Sequence, residues 1–71
     1  MTHRERHIVY RADGPGDYRL LSVHPDYVSA ATELARLRGW EAVNVPAYRR
    51  SEYRVVTERH WREHFAKEAI R

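Results

Sequence analysis

The 71-residue sequence predicts a small α+β domain of ββαββα order, a four-stranded, mainly antiparallel sheet carrying two amphipathic helices. Three observations predict it. A turn signal dense in glycine, proline and aspartate separates two runs rich in β-branched and aromatic residues near the N-terminus. A helical apolar period then runs from Tyr27 to Leu37 and meets a glycine. Beyond that glycine, two further extended runs lead into a second helical period.

The elements follow in order. His7 to Ala12 reads as a strand, Asp13 to Asp17 as the turn and Tyr18 to Val23 as a second strand, so residues 7–23 make a hairpin. Pro25 suits the first position of a helix and Asp26 complements its N-terminal dipole. That helix is expected to run to about Arg38 and to stop at Gly39, the usual C-cap residue. Tyr27, Val28, Ala30, Ala31, Leu34, Ala35 and Leu37 fill about half of its circumference, and Ser29, Thr32, Glu33 and Arg36 the rest. Trp40 to Val45 reads as a third strand ended by Pro46, residues 46–51 as a basic aromatic loop, and Glu52 to Val56 as a fourth strand. Thr57 is the expected N-cap of a last helix through Ile70, with Trp61, Phe65, Ala66, Ala69 and Ile70 on one side. Residues 1–71 form one domain, with residues 1–6 as an N-terminal tail.

Three of the expected strands contain adjacent apolar pairs: Ile8-Val9, Leu20-Leu21 and Val55-Val56. Neighbouring strand residues point to opposite faces, so a sheet with one wet face has no use for such pairs. Either the helices cover both faces or a second copy or another protein closes one of them. The small core and the open strand edges favour a homodimer.

Composition excludes several classes. There is no cysteine, hence no disulfide framework, thiol nucleophile or thiolate metal site. No apolar run approaches the roughly 20 residues that span a bilayer. With 42% apolar and 32% charged residues the chain is not compositionally disordered, and a cytoplasmic domain is expected. The net charge is +3, and twelve of the thirteen cations are Arg. Its distribution matters more than its sum. Residues 13–35 set Arg19 against Asp13, Asp17, Asp26 and Glu33, whereas residues 36–57 set five Arg against Glu41 and Glu52.

The most unusual local feature is a Tyr-Arg dipeptide that occurs four times: Tyr10-Arg11, Tyr18-Arg19, Tyr48-Arg49 and Tyr53-Arg54. Aromatic rings beside Arg suit single-stranded nucleic acid, because bases stack on the rings while guanidinium groups take phosphates. Tyr48, Arg49, Arg50, Tyr53 and Arg54 are the densest group, joined by Arg11 and Arg19 if the first hairpin lies alongside. Nucleic acid is the first candidate partner. The alternative is an acidic surface on a larger protein, which the same residue types would serve as hot spots. Within a strand Tyr and Arg point to opposite faces, so burial of the tyrosines would remove the stacking platforms.

His60-Trp61-Arg62-Glu63-His64 matches the H-x-x-E-H string of a class of zinc proteases. A third ligand far downstream has no room here, and Arg59, Lys67 and Arg71 would repel a cation. His60 and His64, with His3 and His7 at the same spacing, could at most hold an incidental metal ion; solvated histidines are the expectation. No serine or threonine lies in a nucleophile motif and no glycine-rich loop precedes a helix, so no enzyme and no cofactor are expected.

The stretch from Glu33 to Val43, with Gly39-Trp40 at its centre, resembles the helix–Gly-Trp–strand opening of HicA-type toxins, which have a double-stranded-RNA-binding-like fold. It covers under a third of the chain. Ser51-Glu52-Tyr53 does not supply that family's Gly-Ser-His motif, and two strands precede the helix here, so no catalytic residue carries over. In size and element mixture the chain is similar to small phage-encoded accessory proteins, including anti-CRISPR inhibitors, which implies a regulatory inhibitor in kind.

Overall fold

The computed structural model describes residues 5–65. Two strands, β1 (His7–Gly14) and β2 (Asp17–His24), form the expected hairpin. Its tip turns at Pro15-Gly16, where Gly16 has φ 76°, a left-handed conformation that glycine adopts without penalty. The long helix α1 (Tyr27–Asn44) follows, then a short 3-10 turn (Ala47–Arg49), β3 (Glu52–Thr57) and α2 (Glu58–His64).

The sheet has three strands, not the four expected. Its order is β2-β1-β3, both pairings antiparallel, and the missing strand is Trp40 to Val45. These residues continue α1 through Gly39 and into Asn44. A mid-helix glycine costs about 1 kcal/mol against alanine, a price that tertiary contacts overcome here. Ala30, Leu34, Leu37 and Glu41 recur at intervals of four, three and four residues, so the helical period does not end at Leu37. The helix closes at Val45, whose N–H donates to the Glu41 carbonyl at 2.8 Å, and Pro46 cannot extend it. Arg50 folds back on this end, giving hydrogen bonds to the Val45 carbonyl (2.9 Å) and the Ala42 carbonyl (3.0 Å). The helix–Gly-Trp–strand passage that resembles HicA-type toxins is therefore not made.

The helix starts are close to expectation. Asp26 is the N-cap of α1, accepting the Ser29 N–H at 2.9 Å, and Thr57 is that of α2, accepting the His60 N–H at 3.1 Å. The rest of the expected last helix, residues 66–70, lies outside the described residues.

The adjacent apolar pair of β1 is explained by a helix on each face. Tyr10 packs its ring against Trp61 (5.4 Å) and Phe65 (5.2 Å) of the α2 segment. His7, Arg11 and Tyr53 lie on the other side, where His7 meets Tyr27 and Tyr53 meets Glu41 of α1. Ile8 and Val9 are consequently both buried, and with Tyr10, Ala30 and Tyr53 they form the core. On β2 the pair remains partly open: Leu20 is 42% and Leu21 38% exposed. The register slips between Val9↔Ser22 and Tyr10↔Leu20, leaving Leu21 as an extra, bulged residue on this edge strand. Among the described residues no helix is long and apolar enough to cross a membrane.

Candidate functional site

The strand dipeptides behave as alternation requires. Tyr10 and Tyr18 point to the α2 side, where their rings meet edge-on at 5.8 Å, while Arg11 and Arg19 are paired across the strands on the α1 side. Tyr53 and Arg54 divide in the opposite sense, Tyr53 toward α1 and Arg54 toward Tyr10. The seven residues singled out by sequence therefore do not form one surface.

Most of them already have partners. Tyr53 is buried with its hydroxyl close to Ser51 and Glu41, and burial raises its pKa above the ordinary phenol value. Its carbonyl accepts from Arg38 at 3.1 Å. Arg54 is ion-paired with Glu52; a hydrogen bond with Tyr10 and then the Glu52 charge hold its guanidinium in the charged form. Arg11 is bound by both oxygens of Asp13 (2.8 and 3.2 Å), and this hydrogen bonding raises its pKa. Arg19 lies 4.0 Å from the same carboxylate, which offsets the charge of the Arg11–Arg19 pair. Arg50 caps α1.

Tyr48 and Arg49 remain. They sit in the 3-10 turn, outside the strands, with Tyr48 85% exposed. Arg49 has no ion-pair partner among the described residues. The preceding turns of α1 add two exposed apolar groups, Trp40 (60%) and Val43 (84%). In a strand these two residues would point to opposite faces; the period running from Ala30 to Glu41 is the signal that places them on the outside of a helix.

The described histidines have other neighbours. His60 and His64 stack with ring centroids 4.3 Å apart, His60 also touches Phe65, and His7 Nδ1 lies 2.9 Å from the Glu5 carbonyl. Among the described residues no group of three or more His, Asp or Glu could hold a metal ion, and His3 lies outside them. No family model, curated protein or solved structure matches the chain.

Proposed function

We propose that the chain is a non-enzymatic, cytoplasmic binding module, regulatory in effect, which docks the corner at the end of α1 on an acidic surface of a larger protein. The observation that carries this reading is the exposure of Trp40, Val43 and Tyr48 within nine residues, next to Arg49, which has no ion-pair partner among the described residues. Trp, Tyr and Arg dominate the energetics of protein–protein contacts, and large apolar groups left together in water mark such surfaces. Nucleic acid is the second reading. It is favoured by Tyr48-Arg49 lying outside the strands, but Tyr53 no longer offers a ring for stacking.

The two readings separate by salt. Phosphate contacts lose affinity steeply between about 50 and about 200 mM salt. Fluorescence anisotropy of labelled single- and double-stranded DNA and RNA is expected to show no binding of this kind. A partner captured from the native host by the unmodified protein should be lost from a Trp40→Ser, Tyr48→Ser variant. Nucleic-acid binding that collapses at the higher salt and weakens in Arg49→Ala would replace the protein-partner reading.

A further inference from the structure

The sheet ends at β3, so one side of that strand has no neighbouring strand. Hydrogen-bond parity tells which of its groups face outward. The Glu58 N–H donates to the Arg6 carbonyl at 2.8 Å, so Val56, Arg54 and Glu52, at even spacing from Glu58, exchange their bonds with Ile8, Tyr10 and Ala12 of β1. Tyr53, Val55 and Thr57 therefore turn their main-chain groups away from the sheet.

Part of this edge is already covered, by side chains of α1 that stand in for a strand. Ser51, in step with Tyr53, has its N–H held by the Glu41 carboxylate at 2.9 Å, and the Tyr53 carbonyl accepts from Arg38 at 3.1 Å. At the other end Thr57 is the N-cap of α2, so its carbonyl belongs to the helix. What is left is continuous: the Tyr53 N–H, the Val55 N–H and carbonyl, and the Thr57 N–H. A groove of about 340 Å³ follows the same stretch, lined by Val55, Val56 and Thr57 with His7 and Tyr27 on the α1 side and His60 on the other.

We propose that this edge takes the extended C-terminal segment of a partner protein as an added antiparallel strand, its terminal carboxylate resting on Arg38. A row of free main-chain donors and acceptors recognises another main chain. That the segment must end here follows from Glu41. The next outward group, the Ser51 N–H, is taken, so a strand entering beside Thr57 passes no further than Tyr53. Which end arrives follows from charge. Arg38 is exposed, gives its one bond to a neutral carbonyl and has no ion-pair partner among the described residues, whereas Glu41 is buried. Such a guanidinium attracts a carboxylate and repels an ammonium group. A C-terminus at Tyr53 also makes the added strand antiparallel to β3, as both existing pairings of the sheet are.

The register is then fixed. The last residue lies opposite Tyr53, and its carboxylate accepts the Tyr53 N–H and the Arg38 guanidinium. The third residue from the end exchanges two bonds with Val55, and the fifth accepts the Thr57 N–H. Paired residues share a face, so the third side chain from the end enters the groove on the Tyr27 side and the fourth lies over Val56 toward His60. Apolar, β-branched side chains suit both places. The site shares no residue with the corner of Trp40, Val43, Tyr48 and Arg49, and does not rest on the reading given to it.

An NMR titration of the full chain with acetyl-Thr-Val-Val-Ser-Val, bearing a free carboxylate, tests this into the millimolar range. Saturable amide shifts are expected, largest at Tyr53, Val55 and Thr57. Amidating the peptide's C-terminus should weaken binding at least about fivefold. Arg38→Gln, which keeps a donor for the Tyr53 carbonyl, should bring the acid down to the level of the amide and leave the amide unchanged. With the unaltered protein, N-methylation of the third residue from the peptide's end removes a bond to Val55 and should abolish the shifts. N-methylation of the second, whose N–H points away, should be tolerated. Absence of saturable shifts at these amides overturns the proposal. So does equal binding of acid and amide, indifference to the site of N-methylation, or a response centred on residues 20–23 of the β2 edge.

Discussion

Glu41 takes the backbone N–H of Ser51 with both carboxyl oxygens, at 2.9 and 3.3 Å, and so ties the end of α1 to the start of β3. It is the one buried charged residue among those described, and it also meets the Tyr53 hydroxyl. The link fixes where β3 enters the sheet after the 3-10 turn. Without it the Ser51 N–H would stay part-buried with no acceptor, a loss of about 1–3 kcal/mol. Glu41→Ala should therefore lower the unfolding free energy by that amount in urea titrations. Glu41→Gln, which keeps an acceptor, should lose less.

The same residue explains where the sequence was legible and where it was not. The hairpin could be read because turn chemistry is local: Gly16 has the positive φ that its position demands. Asp26 and Thr57 announce their helices through side chains that reach only three residues ahead. The run from Trp40 to Val45 carries no such local decision. Gly39 is an ordinary helix stop, and an acid at position 41 does not look like a core residue. Only its contacts with Ser51 and Tyr53, ten and twelve residues away, make a buried Glu41 favourable, and these hold the segment in the helix. The candidate site was obscured for the same reason, because Trp40 and Val43 change faces when a strand becomes a helix.

The second prediction concerns α2. At seven residues it is far shorter than the roughly 12–15 at which an isolated helix becomes marginal. Its helicity must come from the ring cluster of Trp61 and Phe65 with Tyr10 and Tyr18. Trp61→Ala should cost about 2 kcal/mol, below the roughly 3–5 of a fully buried ring because Trp61 is only half-buried. Amide exchange across residues 58–65 should rise more than in β1.

Alkaline pH offers a third test. Burial raises the Tyr53 pKa in the folded state, so folding favours the protonated phenol. That contribution is complete below the unfolded value of about 10 and declines as pH climbs from there through the folded value. Tyr53→Phe removes it, together with the polar contacts of the hydroxyl with Ser51 and Glu41, worth about 1 kcal/mol at neutral pH. Wild type should be the more stable protein at pH 7, and its advantage over Tyr53→Phe should shrink above about pH 10. A constant gap in urea titrations across that range would show that Tyr53 does not titrate differently on folding.

Two glycines should respond to alanine with opposite signs. Gly16 lies at φ 76°, where an L side chain costs about 1–2 kcal/mol, so Gly16→Ala should destabilise the hairpin by that amount. Gly39 is an exposed helical position, and a Cβ built on it meets nothing within 4 Å. Gly39→Ala should therefore stabilise by about 0.5–1 kcal/mol, the entropic penalty of glycine in a helix. For a domain of this size each kcal/mol moves the melting temperature by roughly 4–8 °C, so calorimetry resolves both changes. The Gly39 result also decides the architecture. Were Gly39 a left-handed cap before a fourth strand, alanine there would be penalised as it is at Gly16, and the two variants would shift in the same direction.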